Sequence, residues 1–431
     1  MSSKYDYNYI ILGGHPASYS LALALAKSGK RLAIAEAPTA GYTDFSTYDI
    51  ARNLSLDFSH HYYNILQEPA VHGQPLHYNL PTLVAHQDRV FTATRESRIK
   101  SLAEKGVELL NGPAHFLSDH SVAIGNSEYS ADNFIIATKR KLKTTEISGL
   151  DHVNYLTPDT AFRIRRIPEC ALVVGGGPTG VEIACFYAEL GAKVIIMERM
   201  SRLLPKEDKE ISDTIKRHFT EDLDITILDN SRLTAVSSDE ASKIAIFTNK
   251  AQEKMVRVDC IVLATGSVPD VESLGLDNAG VKYKRAGIIA DKYLTSSARN
   301  IYCLSSSVDT EENFSPERTL EEAHVLASNL AGKLKTSPRY SSIARVIRTN
   351  PEIAIVGLNE RDLLARDLKA KRTIINLATL PRLHTTGLAK LMTDHTGHLL
   401  GASIISPSAS ALSYTFSLTI NRHLTSIENI L

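Results

Sequence analysis

One repeat limits the folding of this chain more than any other feature. Tyr9–Leu12 reads as a strand, followed by GGHPAS (Gly13–Ser18), a helix through Leu21, Leu23 and Leu25 to Gly29, and a strand Arg31–Ala35 closed by Glu36. Much later a strand Ala171–Val174 leads into GGGPTG (Gly175–Gly180), a helix to Leu190 and Gly191, and a strand Lys193–Met197 closed by Glu198. In both copies the closing glutamate lies 23 positions beyond the first glycine. Strand, glycine loop, helix and strand make a βαβ unit, and two with one internal spacing predict an α/β chain with two Rossmann-like dinucleotide-binding lobes, each on a parallel sheet.

Each position of such a loop has its own physical task. The first glycine makes a tight turn, the second lets backbone touch a pyrophosphate, and the third lets helix pack on strand. The helix N-terminus then offers N–H groups and partial positive charge to the phosphates, and the closing acid accepts from a ribose. Gly175, Gly177, Gly180 and Glu198 meet every clause, so the second lobe is expected to bind a dinucleotide. Glu198 disfavours a 2′-phosphate, which points to NAD(H), with Arg199 and Arg202 nearby as the opposing signal. The first lobe keeps Gly13, Gly14 and Glu36, but the middle glycine is His15 and the last is Ser18. An imidazole where a pyrophosphate should graze the backbone predicts weak or lost dinucleotide binding there.

Composition narrows the function classes. A chain of 431 residues suggests about three domains. With 48 basic and 48 acidic side chains no net field draws it to nucleic acid or an anionic membrane. The start, MSSKYDYNYI, has no apolar signal core, and no apolar run is long enough to span a bilayer, so a cytoplasmic location is expected. Cys170, Cys185, Cys260 and Cys303 are scattered with no CxxC spacing and no histidine cluster nearby in sequence. A disulfide framework or a metal site is therefore not expected.

In this order the residues resemble the FAD-dependent pyridine nucleotide–disulfide oxidoreductases, especially dihydrolipoamide dehydrogenase and the soluble transhydrogenases. The resemblance runs from about Tyr5 to the C-terminus. It includes SHHYY (Ser59–Tyr63), ADNFIIAT (Ala131–Thr138), GVEIA (Gly180–Ala184), LATGSVPDVESLGLDNAGV (Leu263–Val281) and RTNPEIAIVGLNE (Arg348–Glu360). The resemblance implies a discontinuous FAD-type lobe over residues 1–150 and 268–335. It implies an NAD lobe over 151–267 and a C-terminal α+β dimerisation domain over 336–431 that makes a homodimer.

Against that family pattern the chain departs at specific places. GYTDFSTYDIARN (Gly41–Asn53) occupies the family's G-G-T-C-L-N-V-G-C-I-P-S-K, so the two redox thiols fall on Asp44 and Asp49. A carboxylate cannot cycle between thiolate and disulfide. The two aspartates read either as helix N-terminal caps or as an acid–base pair. The family's flavin-side glutamate survives as Glu182, but its lysine partner falls on Asn53, leaving half an ion pair. The first-lobe ATG reads ATK (Ala137, Thr138, Lys139), whereas the second lobe keeps Gly266. The aspartate that holds the ribityl chain becomes Ser306, and the chain stops before the family's H-P-T-x-x-E segment. His60, His61 and His384 read as ordinary surface or interface residues.

Two readings follow. In the first, a degenerate homologue binds NAD(H), holds FAD weakly or not at all, cannot exchange disulfides, and acts as a dimeric pseudoenzyme through another protein. In the second, a cysteine-independent flavoprotein passes hydride from NAD(P)H through FAD to another acceptor, as a diaphorase, oxidase or transhydrogenase, with Glu182 beside the flavin.

Overall fold

The computed structural model describes residues 4–36, 45–68, 78–143, 146–239, 242–308, 315–332, 335–380 and 385–422. Asp44 and His384 lie outside them. The chain divides into two compact units. One comprises Met1–Ile50, His86–Lys143 and Ser267–Arg339; the other comprises Ala51–Ala85, Thr144–Gly266 and Tyr340–Leu431. Among the described residues no helix is long and apolar enough to cross a membrane.

In the first unit, β1 (Tyr7–Leu12), α1 (Pro16–Ala26) and β2 (Leu32–Glu36) form the first βαβ unit. β1 pairs in parallel with β2 and with Ser127–Ile136, and β2 pairs in parallel with Val107–Asn111. Every residue of β2 is buried, as befits a parallel strand covered on both faces. Alternation sorts the side chains: Ile10, Leu12, Ala33, Ala35, Phe134 and Ile136 share one core. Tyr9, Ile11, Leu32, Ile34 and Ile135 share the other, beneath α1 and the helix Pro316–Leu330. Two long helices, α2 (Phe45–Gln67) and α3 (Leu80–Glu104), lie between β2 and the Val107–Asn111 strand in sequence.

In the second unit, β3 (Cys170–Val174), α4 (Pro178–Glu189) and β4 (Lys193–Met197) repeat the arrangement. Their parallel sheet continues to Thr226–Leu228 on one side and Cys260–Leu263 on the other. The same unit holds a five-stranded antiparallel sheet running Arg345–Ile347, Glu352–Gly357, Leu399–Ser406, Leu388–Thr393 and Lys371–Asn376. Phe416 and Ile420 of the helix Ala409–Arg422 cover it, against Ala354, Val356 and Ile404.

Phe134 sits at the centre of the first unit's core, fully buried and edge-on to Phe116 with ring centroids 5.1 Å apart. Phe134→Ala is predicted to lower the unfolding free energy by about 3–5 kcal/mol, read by denaturant titration. A loss below about 1 kcal/mol would contradict this account of the sheet's packing.

Candidate functional site

A helix that starts directly after a strand presents first-turn N–H groups with no acceptor inside the helix. The two βαβ units answer that demand differently. In the second unit Gly175 has φ +114°, and a Cβ there would stand 2.3 Å from the Ala264 carbonyl oxygen. A Cβ on Gly180 would stand 1.8 Å from the Gly175 carbonyl oxygen. Packing alone requires both glycines. Gly177, the N-cap of α4, is different: its φ of −76° suits any residue, and a Cβ there would meet nothing within 4 Å. No side chain caps this helix, and the space before its N-terminus is open. Glu198 closes the unit, 6% exposed, and accepts from the Gly176 N–H at 2.7 Å and the Met200 N–H at 2.8 Å.

The first unit keeps the same turn. Gly13 has φ +123°, and a Cβ there would lie 2.2 Å from the Ala137 carbonyl oxygen. At the next decisive position His15 is the N-cap, 2% exposed, and its Nδ1 accepts from the Ala17 N–H at 3.1 Å. Pro16 has no N–H to give, and the Ser18 N–H donates to the His15 carbonyl at 2.7 Å. The opening donors of α1 are thus absent or used by the chain itself. Burial, with the Arg98 guanidinium adding to it, pushes the His15 ring down to about 3, so it is neutral at pH 7. Glu36 is buried, accepts from the Tyr19 hydroxyl at 3.2 Å and lies 3.5 Å from Arg95 of α3.

Other positions singled out in the sequence also take definite places. Lys139 is exposed and is not among the positive-φ residues, so its backbone does not need the glycine that φ +93° requires at Gly266. Thr138 is tied to the Ser307 hydroxyl, through its N–H at 2.9 Å and its own hydroxyl at 3.0 Å. Ser306 is fully buried, and its hydroxyl has no hydrogen-bond partner among the described residues.

The expectation of half an ion pair at Glu182 is corrected. Arg52, one residue before Asn53, grips the Glu182 carboxylate with both Nε, at 2.7 Å, and Nη2. The Arg348 backbone N–H donates to the same carboxylate at 2.7 Å, and the Arg348 side chain donates to Asn53 Oδ1 at 3.1 Å. Asp49 is the fifth residue of α2, past its first turn, so the capping reading does not hold for it. His60 is corrected too: its Nδ1 lies 2.6 Å from Glu189 Oε2, within a largely buried cluster that includes Cys185. Arg52 and Glu182 recur seven residues later as Ser59 and Glu189, whose hydroxyl–carboxylate bond is 2.6 Å. Seven residues are two helical turns, so α2 and α4 meet along a polar seam.

Residues 7–325 match the family described as pyridine nucleotide-disulphide oxidoreductase, and residues 343–430 match that family's dimerisation domain. The chain belongs to this family of oxidoreductases. It is 27% identical over 438 residues to a mercuric reductase of Staphylococcus aureus, covering 99% of this chain and 79% of that protein. It is 30% identical over 363 residues to a dihydrolipoyl dehydrogenase of Buchnera aphidicola subsp. Schizaphis graminum, covering 77% and 74%. Its fold matches the HOCl-induced flavoprotein disulfide reductase RclA from Escherichia coli at a TM-score of 0.84 for that protein's Cu(II) complex, with 23% identity, covering 97% and 93%.

Two predictions follow from this geometry. Arg52→Ala leaves Glu182 buried without its guanidinium, and the unfolding free energy should fall by about 3–5 kcal/mol in denaturant titrations. Arg52→Lys should recover part of that, and no loss in the alanine variant would remove the pair from the account. For His15 the unfolded ring takes up a proton near the ordinary 6.5 and the folded ring only near 3. Stability is therefore complete above 6.5 and is lost as pH falls toward 3. About 1–2 kcal/mol should go between about pH 7 and about pH 5. His15→Asn, a cap that does not titrate, should flatten that dependence.

Proposed function

We propose that the chain is a dimeric NAD(H)-binding member of its family that does not carry out disulfide exchange and holds FAD weakly or not at all. The observation that carries this reading is the contrast between Gly177 and His15 at matching positions of the two loops. The fold tolerates a side chain at Gly177, so the open space before α4 is explained by a ligand that must come close. A nicotinamide dinucleotide fits there: α4 would face its pyrophosphate and Glu198 its ribose. Gly175, Gly180 and Gly266 keep the surrounding backbone in the required turns.

The first loop does not fit a second dinucleotide in the same way. A neutral, buried His15 ring covers the end of α1 where a pyrophosphate would sit, and it brings no positive charge. Gly13, Gly14 and Glu36 preserve the frame, and since Glu36 and Glu198 are both buried and both already accept hydrogen bonds, the closing acids do not separate the two loops. On the resemblance, Asp44 and Asp49 stand at the family's thiol positions, and none of the four cysteines lies in α2. No thiol there can pass electrons onward. The match of residues 343–430 to a dimerisation domain supports a homodimer. A cytoplasmic location and action through another protein complete the proposal.

One observation favours the alternative of a cysteine-independent flavoprotein. Arg95 lies beside Glu36, and Arg98 lies 5.4 Å over the Tyr19 ring. Two guanidinium groups near the first loop could meet a pyrophosphate if His15 turned away. The buried hydroxyl of Ser306 would also gain a partner.

Calorimetric titration separates these readings. NADH is expected to bind wild type, and Gly177→Val should weaken it by about tenfold or more, since one lost close contact is worth at least about 1.4 kcal/mol. FAD should bind less tightly than NADH. Tight FAD binding with no NADH binding would overturn the proposal.

A further inference from the structure

We propose that His60, Cys185 and Glu189 form a zinc-binding site between α2 and α4. One ligand atom from each, an imidazole nitrogen, a sulfur and a carboxylate oxygen, lies within 4.8 Å of the other two. Cys185 and Glu189 are one turn apart on α4, so both project from one face, and His60 meets them from α2. Around a tetrahedral zinc the ligand atoms stand roughly 3.3–3.8 Å apart, so closure asks for about an ångström of side-chain movement.

The hydrogen bonds argue for a cation at this place. His60 Nε2 lies 3.1 Å from the Arg348 carbonyl oxygen, which can only accept. Nδ1 faces Glu189 Oε2 at 2.6 Å, so both ring nitrogens meet oxygen acceptors; a neutral imidazole has one N–H for the two, and a cation on the other nitrogen answers the second. A proton would serve that pair alone; a zinc ion would engage the sulfur as well. The Glu189 side chain is 0% exposed, and its only other partners among the described residues are neutral: Ser59 at 2.6 Å, Asn350 at 3.0 Å and the Cys185 thiol. Zinc bound by a thiolate, a carboxylate and a neutral imidazole makes a cluster with no net charge, which lowers the cost of burying it. The carbonyl bond at Nε2 is also the support that metal-ligating histidines require of their second nitrogen. His60, 15% exposed, leaves a way in and a fourth position for water.

The donor set of one sulfur, one nitrogen and one oxygen suits zinc over calcium or magnesium, which prefer oxygen alone. Binding would release the Cys185 thiol proton, since the thiolate is the ligand. Nothing in this assignment depends on whether either loop binds a dinucleotide.

The test uses the full chain, stripped with a chelator and titrated with zinc against a competing indicator, then separately with cobalt. One zinc per chain is expected. Cys185→Ser and His60→Gln should each weaken zinc by more than the roughly 10–100-fold that losing an outer-shell partner costs. Cobalt should produce a near-ultraviolet sulfur-to-metal absorption in wild type that Cys185→Ser lacks. Zinc affinity unchanged in folded Cys185→Ser would overturn the proposal. So would wild type that binds no cobalt, or binds it without that absorption, whether or not any variant folds; a cluster held by a proton alone binds none.

Discussion

The demand of a helix N-terminus for acceptors underlies the rest of this structure. Both βαβ units bring a helix up against the end of a parallel strand, and both require a glycine at positive φ, close to a carbonyl, to make the turn. The same geometry then has two outcomes. At Gly177 the helix end stays open toward space that the fold does not need. At His15 the chain closes the end with its own imidazole, kept neutral by burial. One residue at matched positions thus separates an uncapped helix end, the phosphate site of the proposed function, from one that the chain caps itself.

The α2/α4 seam shows a second kind of self-sufficiency. Where the resemblance places the family's thiol pair and lysine, the sequence reads Asp44, Asp49 and Asn53, with Arg52 just before the last. Glu182 remains, and Arg52 and the Arg348 backbone satisfy it within the second unit. An arginine fork on a buried carboxylate supplies two donors in one plane, which a single ammonium does not. Two turns on, Glu189 accepts from Ser59 and Asn350 and faces His60. Both buried carboxylates of the seam are thus held by groups of the second unit.

Much of the fold was legible in the sequence because its requirements are local. Gly13 and Gly175 are demanded by backbone angles, and strands such as Lys193–Met197 by runs of buried apolar residues, so both are written in short stretches. The closing acids Glu36 and Glu198 were legible for the same reason. The partner of Glu182 was not. Successive residues on a helix differ by about 100°, so assigning the cation to position 53 instead of 52 chose the wrong face. Asp49 was misread as a possible cap because the sequence offers two aspartates five positions apart, and α2 begins at Phe45, ahead of the second. The cluster at His60 was invisible for another reason: His60 and Glu189 are 129 positions apart, and only packing of α2 on α4 brings them together. The helix-capping role of His15 could have been seen, since a polar residue directly before proline at a strand–helix junction is an N-cap signal.

The most direct test of the central claim is the visible absorption spectrum of the natively purified protein, incubated with FAD, desalted, and then exposed to NADH without oxygen. With the first loop closed by His15, the account predicts no retained flavin band. A flavin band that survives desalting at one per chain and bleaches with NADH would contradict it, and would make the protein a working flavoprotein without redox cysteines.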